Sequence, residues 1–139
     1  MNCRGQEVPP QTYTNAFCDL IEKLESELDP NEVVGVHCTH GLNRTGYLLI
    51  EFLCQRKKLS LEEAFSLFEG NRPPHKFTKE VLIEDLYKKF YGQGYFPVYE
   101  KHIACLQDYN IDMNYAIERQ QVMNKSAKHP SRNLAEPAN

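Results

Sequence analysis

No apolar run in this 139-residue chain approaches the roughly 18 residues of a membrane-spanning helix, and the N-terminus has no signal-peptide h-region. These two absences predict an intracellular protein with no membrane partner. The five cysteines lack any paired C-x-x-C spacing, and their odd number and scatter exclude a disulfide framework and suit a reducing compartment. A metal reading would use Cys38 and His40 with His37 nearby; without paired cysteines elsewhere, the expectation is no metal and no cofactor. Basic residues are not in excess, since 16 Lys and Arg face 19 Asp and Glu for a net charge of −3. A strongly basic nucleic-acid binder is thereby excluded, while a local basic patch remains open. No internal repeat occurs. What remains, 41% hydrophobic and 25% charged residues, is the composition of one ordinary globular domain.

The most informative stretch is residues 33–46. Val33, Val34, Gly35 and Val36 form a short, β-branched run that reads as a strand buried inside a sheet. From Tyr47 the apolar residues Leu48, Leu49, Phe52 and Leu53 recur near a 3.6-residue period, which predicts a helix from Arg44 to about Lys57. Between them lies a tight run from Cys38, punctuated by Gly41 and Gly46. Such a turn aims backbone N–H groups inward at the positive end of the helix dipole and makes a cup for an anion. A thiol at its mouth, beside a guanidinium, is stabilised as thiolate and lowered from about 8.5 toward neutrality, so Cys38 is the candidate nucleophile. Arg44 can hold two phosphoryl oxygens with its planar fork. The amides of Thr39, His40, Gly41, Leu42, Asn43 and Arg44 would bind the remaining oxygens. By position, His37 can fix the loop and favour the thiolate, and the Thr45 hydroxyl can donate to the sulfur as it leaves.

Around this stretch the pattern is helical. Phe17, Leu20, Ile21, Leu24 and Leu28 predict an amphipathic helix over residues 15–28, capped by Thr14 or Asn15 and stopped at Asp29-Pro30, after a loop containing Pro9-Pro10. Its glutamates, Glu22, Glu25 and Glu27, read as a solvated face. Ser60-Leu61-Glu62-Glu63 is a capping-box signature for a helix closed by Gly70. Residues 71–76 form a rigid connection in which Arg72 and Lys76 are candidates for binding a polyphosphate. Thr78 opens a helix carrying Val81, Leu82, Leu86 and Phe90 and ending at Gly92. Residues 1–94 are therefore expected to form the domain and residues 95–139 a partly disordered tail or linker, with a short helix over 116–123.

The run His-Cys-x-x-Gly-x-x-Arg-Thr-Gly, complete over residues 37–46, resembles the signature of the cysteine-dependent phosphatases. Its fuller wording resembles most closely the RNA 5′-triphosphatase domain of metazoan mRNA-capping enzymes and the related RNA-directed dual-specificity phosphatase. Asn71-Arg72-Pro73-Pro74, the stretch 86–92, and Cys3-Arg4-Gly5 upstream also look like that pattern, so the resemblance covers about residues 3–92. It implies an α/β, protein-tyrosine-phosphatase-like fold with a central phosphate-loop strand and four helices. This chain would be its C-terminal portion, with the N-terminal strands largely missing. A buried strand needs partners on both sides, so the expectation is a fragment or short isoform, a degenerate relative, or a sheet completed by another chain or segment.

The implied activity is metal-independent removal of the γ-phosphate from 5′-triphosphate RNA through a cysteinyl-phosphate on Cys38, with the RNA 5′ end as partner and a nuclear or nucleocytoplasmic setting. No Lys-x-Asp-Gly nucleotidyl motif follows, so capping itself is not expected of this chain. The alternatives are a dual-specificity or tyrosine protein phosphatase and a truncated, non-catalytic phosphate or RNA binder. Protein phosphatases of this type carry an Asp roughly thirty residues before the cysteine as general acid. Here Glu7 is the carboxylate in that window, and the first aspartate is Asp19, read as helical. A diphosphate leaving group needs such an acid less than a phenol does, which tilts the reading toward RNA.

Overall fold

The computed structural model describes residues 7–38 and 43–135, with side chains to residue 127. They form α1 (Gln11–Glu27), α2 (Asn43–Gln55), α3 (Leu61–Gly70), α4 (Glu80–Tyr91) and α5 (Tyr95–Ala135), with a 3-10 turn at Gly92–Gly94. The chain divides into two units, Met1–Lys101 and His102–Asn139. The core and the candidate site lie in the first; in the second, α5 exposes Ile111, Tyr115, Ile117 and Val122.

The expected α/β sheet is not what is found: the described residues are helical and contain no strand. Residues 33–36 run extended, but no backbone hydrogen bond joins them to another described residue. Their β-branched composition favours a pleated surface only where a neighbouring strand accepts the ladder, and among the described residues there is none. Burial is correspondingly one-sided. Val34 and Val36 pack against Phe17, Cys18, Ile21 and Phe52, whereas Val33 is 88% exposed. Beside them an open apolar groove of about 690 Å³ runs between Ile21, Leu28, Phe52 and Leu67.

Helix α1 begins at Gln11, earlier than the apolar period suggests, because the Pro10 carbonyl accepts the N–H groups of Tyr13 (3.0 Å) and Thr14 (3.1 Å). Proline supplies the φ of −57° that prepares this entry. Helix α3 carries the full capping box, with the Ser60 hydroxyl accepting from the Glu63 N–H and the Glu63 carboxylate from the Ser60 N–H. Helix α4 closes on Gly92, whose φ of 64° is the conformation glycine enters at least steric cost.

Helix α2 is the centre of the first unit, packed on α1, α3 and α4. One flank buries Phe52 against Phe17 and Ile21 of α1. Another buries Tyr47 and Ile50 in a core that includes Phe65 and Phe68 of α3, Phe77, and Leu82, Ile83 and Leu86 of α4. The Phe65 and Phe77 rings meet edge to face at 5.8 Å. At the C-terminal end, Arg56 donates to Glu22 (2.6 Å) and Asp19 (2.8 Å), and Lys57 to Glu25 (2.9 Å), which ties that end to α1.

A polar cluster lies between α2 and α4, buried at Glu51 and Tyr47 and partly exposed at Asp85 and Lys89. Glu51 is fully buried; its Oε1 accepts from Lys89 Nζ at 2.7 Å and its Oε2 from Gln55 Nε2 at 2.5 Å. Lys89 also reaches Asp85 at 3.4 Å and donates to the Tyr47 hydroxyl. That hydroxyl donates to Asp85 at 2.6 Å, and burial followed by the Asp85 hydrogen bond pushes the phenol far above its ordinary range. The cluster is satisfied throughout, as a buried charge requires.

Candidate active site

Exposed His37 and half-buried Cys38 follow the extended residues 33–36, and α2 runs from Asn43 with Arg44 half-buried in its first turn. The candidate phosphate-binding residues Thr39, His40, Gly41 and Leu42 lie outside the described residues. The first turn of α2 carries no acidic residue, as in α1 and α5 and unlike α3 and α4. Its dipole is therefore left open to an external anion. Thr45 is buried, 2% exposed, and its Oγ1 meets no hydrogen-bond partner among the described residues. A buried hydroxyl without a partner costs about 1–3 kcal/mol unless something else pairs with it.

The other motif residues reach the connection between α3 and α4. Asn43 Oδ1 accepts the backbone N–H groups of Thr78 (3.1 Å) and Lys79 (3.0 Å). A Cβ on Gly46 would lie 2.6 Å from Phe77 Cδ2 and 2.9 Å from Phe68 Cε1, so glycine here makes room for two aromatic rings. Of the candidate polyphosphate contacts, the Arg72 guanidinium stands over the Phe68 ring at 5.5 Å, and Lys76 Nζ is 3.9 Å from Glu69. Both cations are thus anchored at the C-terminal end of α3. The sequence reading counted Asn43 only for its amide. Its side-chain role has no local signal, because the N–H groups it accepts lie 35 and 36 residues away.

The acid candidates separate clearly. Asp19 pairs with Arg56 at the far end of α2, about 18 Å along the axis from Arg44 at 1.5 Å per residue. It cannot protonate a leaving group at the other end of the helix. Glu7 is exposed ahead of α1. Of the other described thiols, Cys18 and Cys54 are pushed up to about 11 by burial and so are protonated at neutral pH, while Cys105 is exposed on α5. Among the described residues, no group of His, Cys, Asp and Glu is arranged to hold a metal ion, and no helix is long and apolar enough to cross a membrane.

Comparison with known proteins adds a family model, "Dual specificity phosphatase, catalytic domain", which matches residues 1–90. The mouse mRNA-capping enzyme is 38% identical over 91 residues, 65% of this chain and 15% of that enzyme. The human RNA/RNP complex-1-interacting phosphatase is 41% identical over 83 residues, 59% of this chain and 25% of its own length. A tyrosine-protein phosphatase of Autographa californica nuclear polyhedrosis virus is 38% identical over 82 residues, 59% of this chain and 48% of its own. The chain thus spans less than half the length of each of these curated relatives.

Proposed function

The chain belongs to the dual specificity phosphatase family, and from that premise we propose that it is a cysteine-dependent phosphatase that removes the γ-phosphate from 5′-triphosphate RNA without a metal. Cys38 attacks the γ-phosphorus, the bond to the diphosphate-ended RNA breaks, and water then hydrolyses the cysteinyl-phosphate to inorganic phosphate. Arg44 and the amides of residues 39–44 hold the equatorial oxygens. His37 stabilises the loop and the thiolate, and Thr45 donates to the sulfur when it leaves. Arg72 and Lys76 meet the phosphates beyond the γ position.

The observation that carries this reading is the join at the start of α2. Arg44 sits in a helix turn free of acidic side chains, next to a buried Thr45 hydroxyl that has no partner among the described residues. An oxyanion or thiolate arriving at that turn would give it one. Relatives named for mRNA capping and for an RNA/RNP complex support RNA over protein as the substrate, and a nuclear setting.

The competing reading, a phosphotyrosine or dual-specificity protein phosphatase, is favoured by the viral relative's name. Comparing kcat/KM for a 5′-triphosphate RNA and a phosphotyrosine peptide separates the two. The RNA is expected to be preferred, and E7Q to leave its turnover within about threefold, because a diphosphate leaves without an acid. A peptide preference together with a large loss in E7Q would establish the protein phosphatase instead.

The half-buried valines and the adjoining groove support a second partner, an extended chain segment that covers them. Hydrogen exchange at residues 33–36 is expected to be fast in this chain alone and slowed by such a segment. Protection in the isolated chain would contradict this.

A further inference from the structure

We infer that Asn43 is a positioning residue whose side chain clamps the α3–α4 connection to the start of α2, beside Arg44, and so sets the preference for a polyphosphate over a single phosphate. The inference rests on the function proposed above and names the device that would give it substrate selectivity.

The backbone N–H groups of Thr78 and Lys79 lie just ahead of α4, at its N′ and N-cap positions. The N-cap residue, Lys79, brings no side-chain acceptor. Asn43 supplies one from 36 residues earlier in the chain, its Oδ1 taking both the Thr78 and Lys79 N–H groups. An N-cap side chain would take the N2 or N3 donors instead; Asn43 holds the segment that enters α4 from across the fold. One turn further along α2, Gly46 accepts the Phe77 ring at a distance no side chain would permit. Phe77 is fully buried and locked edge to face against Phe65. The pair Arg44-Thr45 is therefore bracketed by two residues that both grip residues 77–79.

The same connection carries Arg72 and Lys76. Arg72 lies over Phe68, the second ring against Gly46, and Lys76 lies beside Glu69. A triphosphate whose γ group occupies the loop must extend its other phosphates outward, and cations on a fixed neighbouring segment recognise them only if that segment keeps its place. Orthophosphate, filling the loop alone, is indifferent to it.

The test is calorimetric binding of inorganic tripolyphosphate and of orthophosphate to the full chain and to N43A, K79S and N43A/K79S. Lys79→Ser offers the N2 or N3 donors of α4 a hydroxyl from within its own segment, so it restabilises the helix start without restoring the bonds that Asn43 makes. The native chain is expected to bind tripolyphosphate more tightly than orthophosphate. In N43A that ratio of affinities is expected to fall about tenfold, roughly 1.4 kcal/mol, together with a Tm lower by several degrees. In N43A/K79S the Tm is expected to recover toward that of K79S while the ratio stays low. A ratio that recovers with the Tm reduces Asn43 to a stabiliser of the helix start and overturns the inference, as does a ratio unchanged in N43A or a native chain without a preference. A native chain that shows the preference and its loss, yet releases no phosphate from triphosphate RNA, would refute the proposed reaction while leaving the clamp standing.

Discussion

Replacing Lys89 by methionine isolates the polar cluster that fixes α2 to α4. In the native chain the Glu51 carboxylate is wholly buried and is balanced by Lys89 at 2.7 Å, with Gln55 at 2.5 Å on its other oxygen. Methionine fills a similar volume, so little packing is lost; what is lost is the charge. Glu51 is then buried without its counter-charge, beside a partly exposed Asp85 carboxylate, and both converge on the Tyr47 hydroxyl, at 3.5 Å and 2.6 Å. Removing one partner of a buried pair costs about 3–5 kcal/mol, and the surviving Gln55 bond places this case at the lower end, about 3 kcal/mol. For a domain of this size that lowers Tm by about 12 °C, at about 4 °C per kcal/mol. K89M/E51Q removes the stranded charge and keeps an acceptor for Gln55, though not the bonds from Lys89, so it is expected to recover most of the K89M loss. Urea unfolding of the native chain, both single variants and the double variant completes the cycle. A K89M loss below about 0.5 kcal/mol, or a double variant less stable than K89M, would refute the assignment of Lys89 as the counter-charge of Glu51.

Gly46→Ala places a methyl against Phe77 and Phe68 in a filled core and is expected to cost about 1–3 kcal/mol in urea unfolding; a neutral result would mean that the rings yield freely. Iodoacetamide at pH 7.5 is expected to spare Cys18 and Cys54, raised to about 11 by burial and so less than about one part in a thousand thiolate, and to modify Cys38; modification of Cys18 or Cys54 below pH 9 in the folded chain would contradict this. Burial raises the Glu69 carboxyl, opposed by Lys76 and by the Phe77 N–H. A carboxyl raised on folding contributes stability that is full below its unfolded value, about 4.3, and is lost as pH rises through the folded value. E69Q is therefore expected to raise Tm at pH 7 and to show no gain near pH 4; a gain that grows on acidification would reverse the sign.

What could be read in the sequence divides by range of interaction. The helices were legible because capping and periodicity act within a few residues: Ser60 with Glu63, and the apolar stripe of α1. Even there the start of α1 was displaced, because the Pro10 carbonyl rather than a Thr14 or Asn15 side chain opens the helix. The strand over residues 33–36 was not reliable, since a strand is a property of a pair and composition describes one member only. For the site, Arg44 and Thr45 were named from spacing, and both lie in the first turn of α2. The Asn43 clamp and the Tyr47, Glu51, Asp85 and Lys89 cluster were invisible because each joins residues more than thirty positions apart. A lone asparagine or a lone lysine carries no local signal of such a partner.

The central claim is a cysteine nucleophile acting on a triphosphate RNA end, and it meets its most direct test in phosphate release from γ-labelled 5′-triphosphate RNA in EDTA, with C38S protein in parallel. Release by the native chain that Cys38→Ser abolishes is the expected result. Equal release by both proteins, or none by a native chain shown to be folded by a cooperative melt, would contradict it.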